Sequence, residues 1–203
     1  MRGLFFALGV LSLPVWGMAQ FSRLEVEEVP NKGVVPGKTY RIYAVMEREG
    51  DVIDAVYGEK NAPLRITSTA PFYQHPKGNA LSADIQRYDL QNDNKLKYDS
   101  WFTIGAEDNY MNRLTGFLVD FAAFESGATF ETNNGAWFVT PDQPQGRAPG
   151  DKRILLMQLT SAGTITGVIN VHGRTFVELD KDGNPKAAPR EIKAEGLTFT
   201  CGK

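Results

Sequence analysis

Arg153-Ile-Leu-Leu-Met-Gln-Leu-Thr160, then Ser161-Ala162-Gly163, then Thr164-Ile-Thr-Gly-Val-Ile-Asn-Val-His172, is the stretch on which the fold turns. Both runs are short, apolar-rich and extended in character, and the small residues between them make a compact turn. The same grammar repeats outward in both directions. Tyr40 to Met46 is a nearly continuous apolar run, and Val52 to Tyr57 follows Glu49-Gly50-Asp51, so the pair predicts a hairpin with a Gly-Asp turn. Leu64 and Ile66 alternate with Arg65 and Thr67 behind Pro63, a residue suited to a strand's first position or to an edge. Tyr98 to Ile104 predicts a strand with Tyr98, Ser100, Phe102 and Ile104 on one face and Asp99, Trp101 and Thr103 on the other. Ala128 to Glu131, Ala136 to Val139, Thr175 to Leu179 and Gly196 to Cys201 read as further strands, and Asp182-Gly183 as a turn. The polar segment from Gln74 to Lys97 predicts a loop with one short helical turn. Only Asn112 to Phe124 has room for a helix, which Gly116 weakens. Many short strands joined by turn chemistry predict an all-β, antiparallel β-sandwich of jelly-roll or Ig-like type, with a closed β-barrel as the alternative. The near-absence of helical periodicity excludes a dinucleotide-binding βαβ architecture.

The chain has 203 residues, 42% hydrophobic and 23% charged, with a formal charge of −2. That composition excludes a disordered chain, and one cysteine excludes a disulfide-stapled miniprotein. The slight acidic balance argues against nucleic acid as a partner, because neutralising phosphates takes a surplus of Lys and Arg. Met1-Arg2, the apolar stretch Leu4 to Val15, and the small residues Gly17 and Ala19 predict a signal peptide over residues 1–19. The apolar stretch is shorter than the roughly 20 residues a membrane-spanning helix needs, so no span is expected after cleavage. Residues 20–203 then form one secreted or periplasmic β-sandwich domain. Cys201 alternates with Thr198 and Thr200 on the side of Leu197 and Phe199, which predicts a buried, inert thiol.

Four ordered blocks carry a family resemblance: Tyr98 to Gly105 (with Trp-Phe-Thr-Ile-Gly), Phe124 to Gly127, Gly135 to Val139 (Gly-Ala-Trp-Phe-Val), and Arg153 to Thr160 followed by Gly163. Together they resemble a β-rich module of secreted and surface proteins of environmental bacteria, with Tyr40 to Tyr57 similar to its opening hairpin. The resemblance implies an exported β-rich module without an assigned catalytic mechanism.

Candidate chemistry is sparse. His75 and His172 are the only histidines, and no zinc-ligand spacing is present. No Gly-x-Ser-x-Gly elbow surrounds Ser100 or Ser126. Tyr73 and His75 share a loop that can present aromatic and polar groups to a ligand. Asp54 and Asp99 each interrupt a strand with large apolar neighbours, which makes them ligand-binding candidates and the preferred pair for carboxylate chemistry. Asp89, Asn92, Asp93, Asn94 and Asp99 supply oxygens for a candidate Ca²⁺ site. Asp180, Asp182 and Asn184 imitate part of a calcium loop but are better explained as a turn. Trp101 and Trp137 lie within apolar strands, where burial in the core is the expected fate. The expected function is a non-catalytic binding module that recognises a glycan or a surface protein. A self-associating structural protein, and a hydrolase or lyase acting on polysaccharide, are the alternatives.

Overall fold

The runs on either side of Ser161-Ala162-Gly163 are both strands, but they belong to different sheets. The computed structural model describes residues 21–202, so the expected signal peptide at 1–19 lies outside the described residues. Two antiparallel sheets pack together as a β-sandwich. The smaller has the order β1 (Phe21–Val29), β2 (Lys38–Met46), β9 (Arg153–Ser161), β5 (Trp101–Phe102). The larger runs β6 (Thr115–Phe117), β8 (Gly135–Phe138), β3 (Val52–Gly58), β10 (Ile165–Arg174), β4 (Leu64–Ser68), β7 (Phe130–Thr132), with β11 (Glu191–Cys201) also paired to β10. Neither sheet closes on itself among the described residues, which sets the barrel alternative aside.

Two bulges explain how the strands meet both layers. In β9, Ile42 faces Met157 while Tyr43 faces Leu155, leaving Leu156 as the extra residue. Leu156 and Met157 therefore both enter the main core, and Leu155 turns to the outer face, where it meets Ile85, Leu96 and Trp101. In the larger sheet, β10 pairs with β3 through Asn170–Arg174 and with β4 through Ile165–Val168. β3 and β4 are thus one row of the sheet, interrupted by residues 59–63. The fully buried Asn170 pins that interruption: its amide donates to the carbonyls of Tyr57 (2.9 Å) and Ala62 (2.7 Å) and accepts from Gly196 N (2.9 Å). The main core closes around Phe102, which stacks on Trp137 at 4.7 Å and lies 4.4 Å from Phe124. Trp137, Trp101 and Cys201 are buried, as their strand positions predict.

Several local expectations give way to tertiary contacts. β2 and β3 do not form a hairpin, because residues 47–51 carry the chain from one sheet to the other. The buried Asp51 makes that corner: its carboxylate accepts from Arg48 N (3.2 Å) and from the distant Phe176 N (2.8 Å). Of Tyr98 to Ile104 only Trp101–Phe102 is strand, since Leu96–Tyr98 forms a 3₁₀ turn. Thr175 to Leu179 is not a strand. The helix expected within Asn112 to Phe124 reduces to strand β6 and one short turn, α2 (Ala122–Glu125). The segment from Gln74 to Lys97 is irregular apart from 3₁₀ turns and α1 (Arg87–Asn92), in keeping with its composition.

Candidate functional site

The outer face of the smaller sheet is apolar at Leu155 and partly so at Tyr43, and the chain between Tyr73 and Glu107 folds over it. Ile85, Leu96 and Trp101 supply the apolar contacts of this cover, and Asp99 supplies its anchor. Asp99 is fully buried, and its Oδ1 accepts from His75 N at 2.7 Å. Burial pushes its carboxyl up to about 7, against the opposing pull of backbone N–H groups from His75, Ser100 and Asn79. Its Oδ2 has no hydrogen-bond partner among the described residues and lies against Gly78, where a Cβ would stand 1.8 Å away.

Several sequence candidates gather around this anchor. Burial, and then the charges of Asp99 and Asp93, raise the Tyr73 phenol. His75 Nδ1 accepts from Lys77 N at 3.2 Å, and Nε2 faces Asp93 Oδ2 at 3.5 Å. Asp93 Oδ1 accepts from Lys95 N at 3.0 Å, the bond that chiefly lowers its carboxyl. Asp89 is paired with Lys77 at 2.9 Å, and Asn94 accepts from Lys97 Nζ at 3.1 Å. Asp89 Oδ1, Asp93 Oδ1 and Asn94 Oδ1 are thus engaged in loop contacts. Among the described residues no group of three or more His, Cys, Asp or Glu is arranged to hold a metal ion. Asp180 Oδ1 likewise accepts from Asp182 N (2.9 Å) and Asn184 N (2.8 Å), closing a turn.

Asp54 stands apart from this group. It occupies a bulge of β3, in the other sheet, and His172 Nδ1 lies 2.6 Å from its Oδ1. His172 Nε2 in turn faces Glu191 at 3.3 Å, so the imidazole clasps β3, β10 and β11. Asp54 is held by His172 within the larger sheet and Asp99 by the His75 backbone in the cover of the smaller one, and among the described residues they share no hydrogen-bonding partner.

Beside the Asp99 anchor lies a cavity of about 460 Å³, walled by Val29, Leu90, Tyr98 and Trp101 and rimmed by Arg41, Gln91, Lys97 and Glu107. Arg41 grips Glu107 in a bidentate pair (2.9 and 2.6 Å) and donates through Nε to Gln158 at 3.1 Å. The buried Gln158 donates to the carbonyls of Lys97 (3.0 Å) and Asp99 (2.9 Å), which fixes the backbone leading to Trp101. Trp101 is almost wholly buried, yet its indole N–H has no acceptor among the described residues. Arg41, Lys97, Tyr98 and Glu107 escaped the sequence reading because they are ordinary polar residues on separate elements. Gln158 alone left a visible trace, as the one polar residue between Ile154 and Leu159.

These features define an antiparallel β-sandwich with a polar-rimmed cavity under a folded-over segment of its smaller sheet. Compared with protein-family models, with curated proteins and with solved structures, the chain matches none.

Proposed function

We propose that the protein is an exported, non-catalytic binding module that takes a glycan in the cavity beside Trp101. The observation that carries this is the cavity of about 460 Å³, in which Leu90, Tyr98 and Trp101 lie beside Arg41, Gln91, Lys97 and Glu107. Leu90 and Tyr98 offer apolar surface to the C–H face of a sugar ring, while Gln91 and Lys97 offer donors to its oxygens. Glu107 is the single carboxylate among the lining residues and is held by Arg41, whereas glycoside hydrolysis generally uses two carboxyl groups flanking the bond. Export is supported by the sequence at Met1 to Ala19 and by the resemblance to modules of secreted proteins.

The test is thermal unfolding against a panel of neutral and uronic-acid oligosaccharides, since a ligand of the folded state raises the midpoint. At least one glycan is expected to do so, and Tyr98→Ala, which removes a half-buried ring from the lining, is expected to lose most of that shift. A flat panel, or a shift indifferent to Tyr98→Ala, overturns the assignment.

Self-assembly is favoured by one separate observation. Edge strand β6 and the residue after it expose Phe117 (59%) and Leu118 (63%), an apolar edge open to pairing with another strand. Mass measured by light scattering across protein concentration tests this, with growth expected and then abolished by Phe117→Lys. A constant mass counts against assembly.

A further inference from the structure

A second cavity lies at the opposite layer of the sandwich and owes nothing to the glycan assignment. Arg174 of β10 is in register with Val52, and Val52 bridges to Arg147 on its other side, so the two arginines flank one buried valine. Neighbouring strands lie about 4.7–4.9 Å apart, which places the two arginine backbones roughly 10 Å from each other. All three residues line a cavity of about 350 Å³ whose remaining walls include Phe176, Val177, Leu179 and Pro185. No acidic side chain contributes to that lining.

Among the described residues neither arginine has a carboxylate at ion-pair distance. Arg174 donates to the carbonyl of Pro141 at 2.6 Å, and Asp142 feels its charge without reaching ion-pair distance. Arg147 has no carboxylate partner among the described residues. The cover is held at its neck, where Thr175 N donates to Arg190 O (2.9 Å) and Phe176 N donates to Asp51 (2.8 Å). Phe176 and Leu179 nonetheless keep 39% and 59% of their surface exposed, leaving an apolar rim open to a ligand.

We propose that this cavity binds a small amphiphilic carboxylate, its apolar body against Phe176, Val177 and Leu179 and its anionic head between Arg147 and Arg174. Guanidinium groups hold carboxylates by strong, charge-assisted hydrogen bonds, and two of them beside an apolar wall select for an anion attached to an apolar chain over either part alone. The volume is at the small end of the range for ligand pockets, which limits the occupant to a short chain or a single ring.

Calorimetric titration of the protein with octanoate, with octanol and with inorganic phosphate tests the assignment. Octanoate is expected to bind at least tenfold more tightly than octanol or phosphate, and to weaken at about 0.5 M salt as exposed charges are screened. Arg147→Gln changes an exposed side chain and leaves the backbone bridge to Val52 in place. It is expected to weaken octanoate about tenfold without moving the unfolding midpoint. Failure of octanoate to bind, octanol or phosphate binding as tightly as octanoate, or an Arg147→Gln variant that binds octanoate unchanged, each overturns the proposal.

Discussion

Two segments fold over the outside of this sandwich, and they are built in opposite ways. The chain from Tyr73 to Glu107 covers the smaller sheet and sinks Ile85, Leu96, Trp101 and Asp99 beneath it. The chain from Thr175 to Arg190 covers one end of the larger sheet, buries Thr175 at its neck, and leaves residues 178–190 exposed throughout. Both are polar in composition. What separates them is the surface beneath: Leu155 and Tyr43 need a cover, whereas β10 is already flanked by β3, β4 and β11. A loop becomes part of the fold when its scattered apolar residues find an unfilled face, and otherwise remains tethered at its ends.

The contrast is sharpest in stability. Trp101→Ala empties the second core and is expected to lower the free energy of unfolding by about 3–5 kcal/mol. Leu179→Ala, in the outer segment, is expected to change it by less than about 0.5 kcal/mol. Urea denaturation of both variants measures the difference, and equal losses would break the distinction.

Asp99 extends the comparison to pH. Its carboxyl titrates at about 7 in the folded protein, because burial disfavours the charge, against about 3.9 for an unfolded aspartate. Between those values the folded chain binds one more proton than the unfolded chain, so this residue's contribution to stability falls as pH rises from about 4 to about 7 and is level above. Asp99→Asn is expected to remove that slope, read as the difference between wild-type and variant unfolding free energies across the range. A difference that stays flat contradicts the buried-anchor account. The outer segment acts in the other direction: Lys186 holds Glu178, and backbone N–H groups led by that of Asn184 hold Asp180, below the usual carboxylate range. Those exposed contacts are lost as pH falls through the lowered values, with little effect on global stability.

A smaller effect is expected at Gly78. Its Cβ position falls on Asp99 Oδ2, so Gly78→Ala must displace the buried carboxylate, at a cost of about 1–3 kcal/mol. The least perturbing probe is amide hydrogen exchange. Exposed amides of residues 181–189 are expected to exchange far faster than those of Phe102 and Thr103, which donate to Ala80 O (2.8 Å) and Leu156 O (2.8 Å). Comparable protection in both segments would remove the contrast.

The β-sandwich was legible in the alternation of Ile165, Gly167, Ile169 and Val171, and in the short apolar runs at Tyr40 to Met46 and Val52 to Tyr57. A side-chain period of two is a local property, so it survives without knowledge of partners. One grouping was legible as well: Tyr73 and His75 stood out as an aromatic and polar loop pair, Asp93 as a candidate cation ligand and Asp99 as a carboxylate between large apolar residues, and the fold brings the four together. Asp54 stood out for the same reason and belongs elsewhere, because spacing along the chain carries no information about which sheet a strand enters.

Sequence by itself therefore determined the strand character of most of the chain, the burial of Trp101, Trp137 and Cys201, and the polar, irregular nature of the segment from Gln74 to Lys97. Tertiary structure alone decided that β2 and β3 part company at Asp51, whose carboxylate reaches a backbone N–H 125 positions away. It also decided that Arg41, Glu107 and Trp101 share one cavity and that Arg147 and Arg174 share another. The physical reason is range. Pleat and periodicity are set by neighbouring residues, while pairing partners, bulges and cavities depend on contacts between segments brought together only when the core closes.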